Sequence, residues 1–204
     1  LMPDKDTIQK TIQAYDDFAT QYAEASFQDP MTDQLGCFIK YLQGKKVLEI
    51  GCGAGRDLRF LVAEGFEATG IDSSAKLLEI AKKNVPQAKF YKMDMREIDF
   101  PAGGFDGIWA CASFLHIPKR DAKQTVLKFK NILSSGGIFY NSVKVGNKEE
   151  VVPSKQDKNF KRFFASYTLE EFKKLHEESG FEIISMEVDK KINGDWIDLF
   201  AKKK

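Results

Sequence analysis

Lys45 to Asp57 reads KKVLEIGCGAGRD, and the fold is decided there. Val47 to Ile50 is a short apolar run that ends in glycines at alternate positions, Gly51, Gly53 and Gly55. A strand that runs into alternating glycines and then a helix lets the backbone pass close to a ligand, with free amides of the helix N-terminus facing it. Leu58, Leu61 and Val62 then recur at helical spacing and the run stops at Gly65, so strand, turn and helix stand in the order a nucleotide-binding turn needs. Glu67 to Ile71 reads as a second strand that delivers Asp72, about twenty residues past the turn, where a carboxylate accepts hydrogen bonds from both hydroxyls of a ribose. A dinucleotide site would place its third glycine at Arg56, where close helix–strand contact excludes a long side chain.

The acidic–x–G–x–G–x–G pattern, with Glu49 as its acidic member, resembles the first motif of the class I S-adenosylmethionine (SAM)-dependent methyltransferases. The likeness covers nearly the whole chain and is to the small stand-alone members, including the ubiquinone-type and other small-molecule enzymes. It implies an α/β fold: a seven-stranded, mostly parallel, Rossmann-like sheet with helices on both faces and a C-terminal antiparallel hairpin. It also implies SAM as cofactor, met by Glu49, Gly51, Cys52, Gly53, Gly55 and Arg56 along the turn and by Asp72 and Ser73 after the second strand. Lys89 to Met93 is a third strand ending at Asp94. The resemblance gives Asp94 the adenine amine and the Met95 backbone a ring nitrogen; an Asp at a strand end equally caps the turn that follows. Phe105 to Cys111 is a buried fourth strand, and Cys111 and Ala112 are small enough for the methionyl chain to lie close.

The remaining segments arrange themselves about this centre. Ile8, Ile12, Tyr15, Phe18, Ala19 and Tyr22 have the spacing of one amphipathic helix, ending before Asp29-Pro30. The resemblance makes residues 1–44 a helical lid that presents Tyr22, and with it Tyr15, to the cofactor. Residues 45–143 form the cofactor-binding core, closed by a helix over Lys119–Leu133, a Ser134–Gly137 turn and a fifth strand from Ile138 to Val143. Asn141 and Ser142 point to opposite faces there, so one of them at most aims at a ligand. Residues 144–166 carry dense charge and no sustained period, and read as a flap or short antiparallel excursion at the mouth of the site. Residues 167–204 supply a helix capped by Thr168, a Gly180-Phe181 turn and two closing strands joined through Lys190–Asp195, all within a single domain.

His116 is one of two histidines and follows the fourth strand, where an imidazole is chemically suited to take a proton from the attacking acceptor. Arg162 and Tyr167 are the candidates on the substrate side, and His176 reads as a surface or packing residue. Methyl transfer from a sulfonium relies on in-line positioning and water exclusion, so no catalytic triad is expected. The acceptor is expected to be a small molecule. The alternatives are a tRNA nucleoside, suggested by the cation and aromatic mixture of Lys161, Arg162, Phe163 and Phe164, and a non-catalytic SAM-binding module.

Composition narrows the field. A length of 204 residues suits one α/β domain, and 43% hydrophobic with 30% charged residues is ordinary for a globular chain. The net charge of +1 lacks the basic excess of a domain that grips many phosphates. Cys37, Cys52 and Cys111 are too scattered for a disulfide framework or a zinc site, and no metal ligand set is expected. No apolar stretch is long enough to span a bilayer, which makes cytoplasmic the expected location; the chain is expected to act as a monomer or homodimer.

Overall fold

The computed structural model describes residues 5–28, 31–154, 157–190 and 194–204. Two helices, α1 (Lys5–Asp17) and α2 (Ala19–Ser26), precede α3 (Thr32–Tyr41). Then come β1 (Lys46–Ile50), α4 (Arg56–Ala63), β2 (Glu67–Asp72), α5 (Ala75–Asn84), β3 (Lys89–Lys92), β4 (Phe105–Cys111), α6 (Lys119–Ile132) and β5 (Leu133–Lys144). The chain ends with β6 (Glu149–Pro153), β7 (Lys161–Ala165), α7 (Leu169–Glu178), β8 (Phe181–Asp189) and β9 (Trp196–Lys203). Seven strands form one sheet in the order β3-β2-β1-β4-β5-β9-β8, with β9 antiparallel to both its neighbours and the other pairings parallel.

The central strands are buried on both faces, which is why β1 reads as a continuous apolar run. Period-two alternation divides their side chains between two cores. Val47, Trp109 and Tyr140 turn to one face, where Phe38 of α3 and Leu58 and Leu61 of α4 cover them. Leu48, Ile50, Ile108 and Phe139 turn to the other, against Phe129 of α6 and Phe172 of α7. The chain winds outward from β1 to β3 and then crosses back to β4 on the far side of β1. That reversal opens a crevice at the carboxyl ends of β1 and β4, the place where open α/β sheets bind ligands.

Two local departures from the sequence reading have physical causes. The expected single N-terminal helix is broken at Phe18 (φ −108°, ψ 19°), whose ring stacks on Phe160 with centroids 5.1 Å apart. Helix α6 passes directly into β5, since Leu133 already pairs with Phe105; a register shift between Phe105 and Gly107 absorbs the Ser134–Gly137 stretch. Strand β9 lies inside the sheet between β5 and β8, so Leu199 and Phe200 belong to the core and β8 is the edge. The charged segment after β5 folds as an antiparallel pair, β6 with β7, Val151 opposite Phe163. The helix stop expected at Asp29-Pro30 and residues 191–193 of the expected β8–β9 connection lie outside the described residues.

Candidate active site

The turn after β1 is built by bonds its own residues supply. The amides of Gly51 and Cys52 both donate to the carbonyl of Ile71, 2.8 and 3.0 Å away, which holds the turn against the end of β2. Gly51 (φ +70°) has no room for a side chain, because a Cβ there would stand 2.4 Å from Cβ of Ser113, whose hydroxyl donates to the Ile50 carbonyl at 2.6 Å. Gly53 (φ +52°) differs: a Cβ would meet only the Tyr22 ring at 3.7 Å, so its face is open cleft. The cleft has two chambers that share Tyr22, Gly51, Gly53, Cys111 and Ala112. The first is a cavity of about 100 Å³ lined by Asp72, Ser73, Asp94, Met95, Tyr15 and His116 among others. The second, wider and more open, holds Glu49, Arg56, Ser142 and Trp196.

The two chambers differ in their carboxylates: half-buried Asp72 lines the first and fully buried Glu49 the second. Asp72 accepts from the backbone amides of Gly53 (2.9 Å) and Ser74 (2.8 Å). Burial pushes its carboxyl up, and the amide bonds pull the other way. Its oxygens keep lone pairs for a ligand hydroxyl. Glu49 is 4% exposed and its Oε2 is buried with no hydrogen-bond partner. Burial first, and the nearby Asp57 second, raise its carboxyl well above the ordinary range. A bare carboxylate oxygen at a cleft wall calls for a cationic or hydrogen-bonding ligand group.

Around these, several predicted residues take other partners. Arg56 lines the second chamber but grips Asp57 with two bonds, 2.7 and 2.9 Å, while the Trp109 indole donates to the same carboxylate at 2.9 Å. Asp94 lines the first chamber while accepting the Arg96 amide at 2.8 Å and the Arg96 guanidinium, so its side chain caps the turn from the chamber wall. The Arg96 bonds outweigh burial and hold its carboxyl below the usual range. Cys52 packs behind the turn, its Sγ 2.8 Å from where a Cβ on Gly70 would stand, and contributes backbone to the cleft. Cys111 borders both chambers with its thiol pushed up by burial, and Ala112 beside it takes a left-handed backbone, φ +52°, unusual for a residue with a side chain. Of the β5 pair, Ser142 reaches the cleft and Asn141 turns away to His176.

The cover over the cleft is one connected structure. The amide of Phe163 donates to Oγ1 of Thr11 (2.9 Å), and the carbonyl of Phe163 accepts from Nδ1 of His116 (2.7 Å). Strand β7, helix α1 and the segment after β4 are therefore tied through one residue's backbone. Tyr15 and Tyr22 meet edge to face at 5.1 Å, and Phe160 touches both as well as Phe18. Asp16 accepts from the Ser74 hydroxyl (2.6 Å) and from the Lys76 amide (3.1 Å), fastening α1 to the N-terminus of α5. A carbonyl only accepts, so the His116 proton sits on Nδ1, and Nε2 accepts from the Tyr15 hydroxyl at 2.9 Å. Burial lowers the His116 pKa to about 4, keeping the ring neutral.

Arg162 and Tyr167 do not face the cleft as expected. The Arg162 guanidinium lies over Phe160, Phe164 and Tyr15 at 4.4, 5.2 and 5.7 Å, and its Nη1 donates to the Tyr15 hydroxyl at 3.4 Å. It stands behind Tyr15 because β7 alternates Arg162 toward α1. Tyr167 is 1% exposed, packed against Phe114 and Phe172 beneath the Lys119 ammonium, since its bridge to Val145 turns the ring inward. His176 is buried rather than on the surface, bonded to the Phe172 carbonyl at 2.8 Å. Sequence reasoning missed Asp16, Thr11, Ser113 and Phe160. Asp16 alone left a signal: a carboxylate in the last turn of a helix opposes the macrodipole and needs a partner elsewhere.

Comparison with known proteins agrees with this geometry. Residues 47–137 match the family described as "Methyltransferase domain". YqeM of Bacillus subtilis (strain 168), described as a methyltransferase, is 31% identical over 183 residues, which are 82% of this chain and 72% of that protein. The 27-O-demethylrifamycin SV methyltransferase of Amycolatopsis mediterranei is 30% identical over 130 residues, 60% of this chain. The chain spans less than half the length of that enzyme and of other curated relatives it matches. The Burkholderia thailandensis 1,6-didemethyltoxoflavin-N1-methyltransferase, solved with bound 1,6-didemethyltoxoflavin and S-adenosylhomocysteine, superposes with a TM-score of 0.72 at 16% identity, covering 97% of this chain and 88% of that one. The fold and site define a Rossmann-like group-transfer enzyme. Within that class the chain belongs to the SAM-dependent class I methyltransferases.

Proposed function

We propose that the enzyme transfers the methyl group of SAM to a small-molecule acceptor by direct in-line displacement. The observation that carries the reading is the pair of carboxylates, half-buried Asp72 and buried Glu49, on either side of the Gly51–Gly53 turn. Asp72 has lone pairs for ribose hydroxyls, and the bare Oε2 of Glu49 suits the ammonium of the methionyl end. A dinucleotide fits poorly, because Arg56 stands where that fingerprint places its third glycine. When bound, the sulfonium supplies an already activated methyl carbon. The chain's own share is to hold the adenosine between Asp72, Asp94 and Met95, to leave room for the methionyl chain beside Gly53 and Ala112, and to exclude water beneath Tyr15, Tyr22 and Phe160.

A roof of aromatic rings over the cleft supports a metabolite acceptor over RNA. The relatives that act on rifamycin and toxoflavin precursors point the same way. Among the described residues no helix is long and apolar enough to cross a membrane. Calorimetric titration with S-adenosylhomocysteine tests the reading: micromolar binding is expected, with NADH and ATP silent. Binding of either nucleotide in place of the methyl-donor product would overturn it.

A further inference from the structure

Tyr15, His116 and Arg162 form a chain of hydrogen bonds that methyl transfer by positioning alone leaves without a task. The Tyr15 hydroxyl donates to Nε2 of His116, Nδ1–H of His116 donates to the Phe163 carbonyl, and Nη1 of Arg162 donates to the Tyr15 oxygen. Tyr15 and His116 both line the chamber bounded by Gly51, Gly53 and Ala112, past which the donor's sulfur end must lie. The Tyr15 oxygen has spent its one proton on Nε2 and keeps acceptor capacity toward the cleft.

We propose that Tyr15 is the catalytic residue that meets the acceptor, and that the acceptor is a hydroxyl compound whose proton passes through the Tyr15 oxygen to Nε2 of His116. The proposal rests on the methyl-transfer reading above. As the acceptor oxygen's lone pair forms the O–CH3 bond, the C–S bond breaks and its electron pair stays on sulfur, turning the sulfonium into a thioether. The acceptor's proton moves to the Tyr15 oxygen while the Tyr15 proton moves to Nε2. The resulting imidazolium keeps Nδ1–H on the Phe163 carbonyl and later releases the extra proton to water. A relay that ends on a neutral Nε2, with Nδ1–H committed to the Phe163 carbonyl, serves an oxygen nucleophile, because a hydroxyl under attack by methyl becomes strongly acidic and must give up its proton. Charges also surround the relay: the cations Arg162 from β7 and Lys144 from β5 bear on His116, and on Tyr15 Arg162 is opposed by the Asp72 carboxylate. Arg162 stabilises the charge that develops on the Tyr15 oxygen in transit.

The test supplies the full chain with SAM labelled with carbon-13 in its methyl group and a cell extract freed of macromolecules, and reads the product methyl by NMR. An O-methyl signal is expected. Tyr15→Phe should lower its formation about 100-fold while S-adenosylhomocysteine binds within twofold of wild type. Rate on the purified product's precursor should fall on the acid side as His116 protonates, and Arg162→Gln, by removing a cation, should move that limb to higher pH. A structural role for Arg162 would leave the limb in place. An N-, C- or S-methyl product, full activity in Tyr15→Phe, or no labelled product despite donor binding would each overturn the proposal. Failure of the wild type to bind the donor would instead overturn the methyl-transfer reading on which it rests.

Discussion

Replacing Gly53 by alanine separates the turn's two duties. Gly53 lies at φ +52°, where an L-residue costs about 1–2 kcal/mol. The unfolded chain loses freedom with alanine, which returns about 0.4–1 kcal/mol. No neighbour resists the new methyl, since the nearest atom is the Tyr22 ring at 3.7 Å. The net loss is therefore about 1 kcal/mol, or a fall of roughly 2–4 °C in melting temperature for a domain of this size. The methyl nonetheless points into the cleft, where the ligand backbone must pass. Affinity for S-adenosylhomocysteine should fall at least ~30-fold, about 2 kcal/mol. Gly51→Ala reverses the order: its Cβ would meet Ser113 at 2.4 Å behind the turn, so it should melt several degrees below Gly53→Ala. Thermal unfolding and calorimetry on the two variants decide. Gly53→Ala binding within twofold of wild type would refute the claim that the ligand lies against this glycine.

Glu49→Gln should weaken SAM far more than 5′-methylthioadenosine, which lacks the amino-acid end; equal losses in calorimetry would remove Glu49 from the ammonium. Because the folded-state carboxyl is raised, the folded chain binds more protons and loses stability as pH rises through that value, so Glu49→Gln should melt higher than wild type without ligand at pH 8. Arg56→Ala strands the Asp57 carboxylate, 1% exposed, on the Trp109 indole alone and should cost about 3 kcal/mol in denaturant unfolding; a loss under about 0.5 kcal/mol would mean that water replaces the guanidinium. Phe160→Ala removes the ring shared by Tyr15, Phe18 and Tyr22, and limited proteolysis within residues 5–28 should quicken. Unchanged cleavage would show that the cover does not depend on it.

Periodicity and glycine spacing made the sheet legible because β1, β2, β4 and β5 are buried on both faces, and a parallel sheet writes that burial as apolar runs between helical patterns. The break at Phe18 was not legible: apolar spacing continues through it, and its cause is a stacking partner on a distant segment. The same limit applies to the site. Asp72 and Glu49 follow from motif spacing, since both sit at ends of strands that the turn aligns. Tyr167 and Arg162 did not follow, because the facing of a β-hairpin beyond the sheet depends on register, and one residue's shift exchanges inside for outside. Asp94 shows the remaining difficulty: a strand-end carboxylate has two plausible partners, and Arg96, two residues on, holds it.

A crystal structure of the complex with S-adenosylhomocysteine tests the central claim most directly. The account predicts ribose hydroxyls within hydrogen-bonding distance of Asp72, the methionyl ammonium on the Oε2 of Glu49 that now lacks a partner, and the sulfur on the Tyr15 side of Ala112. Adenosine lying away from Asp72, or Glu49 still without a partner in the filled site, would contradict it.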